Sequence, residues 1–100
     1  MIWLEPVAYQ LRVIDGDPAE HPPYRATGLI LVHGDTAVLK GFLGRVTRPD
    51  IVAFYRDLKN MGFRWAVAER TGNHRMPHGE RIEAGEFAGS WRVDLERFDG

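Results

Sequence analysis

The sequence predicts an α+β fold: one domain over residues 1–100, a mostly antiparallel sheet of about five strands, one covering helix over residues 48–61 and one βαβ crossover. Three observations carry the prediction. Apolar residues alternate with a period of two at Val7, Tyr9, Leu11 and Val13 and again at Trp91, Val93 and Leu95. A Gly34-Asp35 pair divides two β-rich runs. A single amphipathic segment with recognisable ends leads straight into another β-rich run. At 100 residues and 11.4 kDa, about two-thirds of the chain's surface can be buried on folding, which suffices for a core without staples. The absence of cysteine removes disulfides, thiolate zinc sites and cysteine nucleophiles together.

Taken in order, Val7–Val13 reads as a half-buried strand. The stretch 15–23 holds Pro18, Pro22, Pro23 and Gly16 among three acids, so an exposed loop follows. Thr27–Val32 and Thr36–Phe42 form an antiparallel hairpin about His33-Gly34-Asp35, where glycine supplies the positive φ needed at the first central position of the turn. Thr47 is placed to cap the helix, with Asp50 three residues on as the reciprocal acid of a capping box and Val46 and Ile51 as a hydrophobic staple. Pro49 is tolerated in the first turn, where N–H groups lack partners. Ile51, Phe54, Tyr55, Leu58 and Met61 form one apolar stripe, and Gly62 stops the helix. Phe63–Glu69 reads as the next strand, parallel to the one before the helix through a right-handed crossover. Residues 71–80 read as a long loop, Arg81-Ile82 as the start of a short edge element, Gly85–Gly89 as turns, and Trp91–Leu95 as the last strand.

Both faces of the central strands are apolar: Leu29, Leu31, Val38 and Phe42 lie in one phase and Ile30, Val32, Ala37 and Leu39 in the other. One helix cannot cover both. The excess falls either to the two ends of the chain, with Trp3 and Trp91 as plugs, or to a second protein chain.

Net charge is −1, but the charges are segregated: residues 45–81 carry eight basic and four acidic side chains between two acidic flanks. Eleven of the thirteen basic residues are arginine, the residue suited to forked recognition of phosphate or carboxylate; codon usage in a GC-rich genome gives the same excess. In a parallel βαβ unit the connections 43–47 and 70–80 both leave carboxyl ends of strands. Arg45, Arg48, Arg70, His74, Arg75, His78 and Arg81 are therefore the candidate anion-binding residues, beside a helix N-terminus with free N–H groups. The competing reading is that these arginines pair with Asp50, Asp57, Glu69 and Glu80. His74 and His78 with Glu80 and Glu83 offer metal-ligand chemistry, but Pro77 and Gly79 break the helix that would align them, and no metal site is assigned. Ser90 is the only serine and stands in no nucleophile elbow, so no catalytic residue is assigned. Phe63 and Trp65 have the phase of core residues and not of exposed bases' stacking platforms, and nucleic acid is not the expected partner.

The longest uninterrupted apolar run, Leu29–Val32, is far short of the roughly 20 residues that span a bilayer, and Met1-Ile2-Trp3-Leu4-Glu5-Pro6 lacks the basic and apolar regions of a secretory leader. A cytoplasmic protein is expected. The run Phe54-Tyr55-Arg56-Asp57-Leu58-Lys59-Asn60-Met61-Gly62-Phe63, within the order hairpin, helix, strand over residues 27–70, resembles the central part of the GCN5-related acetyltransferase fold. The resemblance covers less than half the chain, and Gly44-Arg45-Val46-Thr47-Arg48-Pro49 departs from that family's pyrophosphate loop. It implies an acyl-coenzyme A or another phosphate-bearing ligand at the helix start, and only under that alternative is any cofactor expected; no catalytic residue is carried across. The residues themselves favour a small non-enzymatic accessory protein that binds another macromolecule, either a protein partner or a second copy.

Overall fold

A computed structural model of the chain describes residues 1–68, 78–85 and 87–98. Among the described residues the elements are β1 (Ala8–Ile14), β2 (Tyr24–His33), β3 (Thr36–Gly44), α1 (Arg48–Asn60), β4 (Trp65–Ala68), β5 (Glu80–Arg81) and β6 (Trp91–Asp94), with a 3-10 turn at Pro18–Glu20. The strands form one sheet in the order β1-β2-β3-β4-β6-β5. Every neighbouring pair is antiparallel except β3 and β4, which α1 joins as the expected crossover. The fold is therefore a mostly antiparallel α+β domain, with six strands where about five are legible in the sequence. The two-residue β5 stands where Arg81-Ile82 reads as the start of a short edge element.

The local predictions follow from local chemistry. His33 pairs with Thr36, leaving Gly34 and Asp35 as the two-residue turn, and Gly34 has φ +60°, as a turn of the II′ type requires at that position. In the capping box, Thr47 Oγ1 accepts from the Asp50 N–H at 3.3 Å, and Asp50 Oδ2 accepts from the Thr47 N–H at 2.8 Å. At the other end Gly62 has φ +96°, its N–H reaches the Lys59 carbonyl at 3.0 Å, and the Phe63 N–H reaches the Leu58 carbonyl at 3.1 Å. These two bonds make a Schellman stop. They also hold Phe63 to the helix end, so the next strand begins at Trp65 and not at Phe63 as the alternation suggests.

The core lies between α1 and one face of the sheet. Tyr55 and Leu58 are buried against Ile30, Ala37, Ala66, Ala68 and Val93. The alanines matter: small residues on β3 and β4 let the helix approach the sheet closely. Leu95 and Phe98, just beyond β6, complete this core. The Phe98 ring meets Tyr55 edge-on at 5.3 Å, and the Phe98 carbonyl accepts from Lys59 Nζ at 2.7 Å.

The opposite face is partly closed by a segment that carries no such signal in the sequence. Val38 and Val67 are buried there. The connection between β5 and β6 folds back on itself through Ile82 N–H to the Ser90 carbonyl and Gly89 N–H to the Ile82 carbonyl. Its Phe87 ring stands edge-on to His33 at 6.1 Å. Since β6 and β2 are three strands apart, this contact requires the connection to run across that face. Of the two tryptophans expected as plugs, Trp91 packs against the core. Trp3 does not: it is 75% exposed, and Met1, Ile2, Leu4 and Val7 are exposed with it. Among the described residues no helix is long and apolar enough to cross a membrane.

Candidate functional site

The sheet is wider than its helix, and the mismatch falls on β1. Strands lie about 4.8 Å apart and a helix with its side chains is about 10 Å across, so α1 spans little more than two strand spacings of a six-stranded sheet. On the β6 side, Trp91, Leu95 and Phe98 fill the space beside the helix. On the β1 side the space is open. It forms an apolar groove of about 290 Å³ whose walls include Leu11 and Val13 of β1, Ile51 and Phe54 of α1, Phe42 of β3 and Val46 of the connection between them. Arg12, Asp50 and Asp57 supply its polar margin.

Local sequence explains the floor and one end of the groove. Gly28 faces Leu11 across β1 and β2, and in place of a side chain it admits Phe42 and Leu39, both of which would lie 3.2 Å from a Cβ at that position. Val46 and Ile51, in the staple positions on either side of the cap, turn toward the same groove. The cap is tied to the sheet by Arg25 on β2. Its guanidinium makes two 3.0 Å hydrogen bonds to the two carboxylate oxygens of Asp50 and a 2.8 Å bond to Asp15. That fork, followed by the Thr47 N–H, holds the Asp50 carboxyl well below the usual carboxylate range, and the two acids hold Arg25 above its already high value.

The outer side of β1 is a second feature of the same edge. The Val7 carbonyl accepts from the Val32 N–H at 2.9 Å, so by alternation the backbone groups of Val7, Tyr9, Leu11 and Val13 point to β2, and those of Ala8, Gln10 and Arg12 point outward. No strand pairs with that side among the described residues. Natural edges are commonly blunted by proline, inward charge or extreme shortness. β1 has seven residues, no proline and a single charge, Arg12, whose guanidinium lies 5.3 Å from the Tyr24 ring centroid.

The candidate anion residues do not converge in the same way. Arg70, His74 and Arg75 lie outside the described residues. Arg45 and Arg48 are exposed beside the helix start, but the cap between them is occupied by the Asp50 carboxylate, itself held by Arg25. His78 and Arg81 belong to the far edge of the sheet, at β5, three strands from β3. His78 adopts φ +60° and its ring lies 5.6 Å from Phe98. Among the described residues no three potential metal ligands come together. Trp65, on the face opposite α1, lies between the guanidinium groups of Arg64 and Arg92 at 4.9 and 4.8 Å from its ring centroid. Both arginines are also paired with acids, Arg64 with Asp94 and Glu96 and Arg92 with Glu80. This arrangement neutralises its own charge.

Sequence reasoning missed Arg25, because a strand residue 25 positions from its partner leaves no local trace. It also missed that the β1 side would be the one left open; the unbroken, nearly uncharged text of Ala8–Ile14 is the signal that was there to be read. Comparison with known proteins adds no relative: no family model, no curated protein and no solved structure matches the chain significantly.

Proposed function

We propose that this chain is a small accessory protein that acts by binding another protein along the β1 edge, with an extended segment of the partner pairing beside β1 and its apolar side chains entering the groove under α1. The observation that carries the reading is the coincidence, on one strand, of an open backbone edge and an apolar groove. Strand addition uses this combination, main-chain hydrogen bonds giving affinity and pockets for alternate side chains giving selection. The groove's walls are aliphatic and aromatic and its charges lie at the margin, which suits an apolar segment better than a charged ligand.

The test is a titration of the isotope-labelled protein with a soluble nine-residue peptide alternating valine and lysine. Shifts confined to Leu11, Val13, Ile51, Phe54 and the amides of Gln10 and Arg12 are expected. Val13→Glu, which places a carboxylate in the groove, should abolish them. No shift at millimolar peptide, with the protein dilute enough to be monomeric, refutes the reading.

A further inference from the structure

Resting on that reading, we propose that the natural occupant of the β1 edge is a second copy of this chain, paired antiparallel through β1 and β1 of its partner, with the segment Met1–Val7 of each copy seated in the groove of the other. The segment is chemically matched to the groove. Ile2, Trp3, Leu4 and Val7 leave 89%, 75%, 85% and 70% of their surface in water, a density of exposed apolar side chains that marks an interaction site on a water-facing surface.

Geometry favours the other copy's groove over the chain's own. The segment leaves β1 from its Ala8 end, where Ala8 pairs with Leu31. The groove opens at the other end, against Leu11–Ile14, Val46 and Asp50. Filling its own groove would require the segment to reverse at Pro6 and run back along the strand it has just preceded. An antiparallel partner reverses it without any turn: with the two-fold axis near Ala8, Trp3 of one copy comes level with Val13 of the other. Each leading segment is thereby delivered to the mouth of the facing groove. The axis position is compatible with the backbone: Ala8 presents outward groups and pairs with Ala8 of the partner, and the outward N–H groups of Gln10 and Arg12 meet the carbonyls of Pro6 and Leu4 of the partner. In strand phase Trp3 and Val7 share the face of Leu11 and Val13, the groove face.

The area is sufficient. The four side chains expose on the order of 600 Å² per copy. If only the flank that meets the groove is buried, the two segments and the two grooves together remove roughly 900 Å² from water, and the strand pairing brings the interface to the lower end of the range for stable interfaces, about 1,200 Å². Charge does not oppose it. Arg12 is the single charge of β1 and falls opposite Leu4 of the partner, not opposite its own copy.

Sedimentation velocity on the full chain from 1 to 300 µM, together with amide exchange at the two ends of that range, tests the proposal. A concentration-dependent dimer is expected, with the Gln10 and Arg12 amides gaining protection at high concentration. Trp3→Ser with Leu4→Ser lies outside the sheet and the core and should weaken the dimer at least tenfold while leaving the circular dichroism spectrum unchanged. Gln10→Pro removes one outward N–H without touching the ladder to β2 and should weaken it as well; if that variant fails to fold, the double serine variant and the amide protection decide alone. A strict monomer at 300 µM overturns the second copy as occupant, as does a dimer indifferent to the double serine variant. The valine-lysine peptide separates the two failures: a monomer whose groove binds it keeps the binding edge and loses only the second copy, whereas a monomer that ignores it loses both.

Discussion

Gly44→Ala is the sharpest test of how the sheet holds the helix start. Gly44 ends β3 opposite Ala26 with φ +112°, and a Cβ there would meet the Arg25 carbonyl oxygen at 2.4 Å and the Ala26 Cα at 2.6 Å. Both are backbone atoms, so no side-chain rotation relieves the overlap. The positive φ alone costs an L residue about 1–2 kcal/mol. Separating the strands also stretches the 3.3 Å bond from the Arg45 N–H to the Arg25 carbonyl, about 1 kcal/mol more. A total near 2–3 kcal/mol is a large share of the 5–15 kcal/mol typical of a domain. Gly62→Ala is the control, because Gly62 has φ +96° but nothing within 4 Å of the Cβ position; only the conformational part applies, about 1–2 kcal/mol. Urea unfolding followed by circular dichroism, with equal m values, should separate the two variants by about 1 kcal/mol. Equal losses would mean that the close approach of β2 and β3 at Gly44 is not what fixes Arg25 beneath the cap.

Other expectations follow from the same contacts. Thr47→Ala removes the side-chain half of the capping box and should cost about 1 kcal/mol, seen as a fall of about 4–8 °C in the thermal midpoint. Leu95→Ala, at a fully buried position beside Tyr55 and Phe98, should cost about 2–5 kcal/mol by denaturant titration. The lowered titration of Asp50 makes its contribution complete at neutral pH. The unfolded chain takes up that proton first, so the contribution starts to fall as pH drops past the ordinary aspartate value of about 3.9 and is gone only below the folded one. Arg25→Gln should therefore flatten the dependence of the urea midpoint on pH below about 4, and an unchanged slope would show that Arg25 is not the cause.

What the sequence displays and what it conceals divide by the range of the interaction. The helix is legible because its cap, stripe and stop are each made by residues within five positions of one another: Thr47 with Asp50, Tyr55 with Leu58, Leu58 with Phe63. The turn at Gly34 is legible for the same reason. The 82–90 connection hides, because Phe87 meets His33 only through folding of the whole sheet. Trp3 misleads, since alternation and hydrophobicity report what a residue would gain by burial and not whether the chain path brings it to a vacancy. The apolar excess in the central strands is real, but two separate devices absorb it: the connection across one face, and Trp91, Leu95 and Phe98 beside the helix on the other. What remains is β1 with its groove, together with Leu29 and Leu43, which stay exposed on the partly closed face. This narrows the functional question. A partner for a whole face would need a broad complementary surface, whereas one strand edge and one groove need only an extended apolar segment, and the segment 1–7 is such a piece of chain.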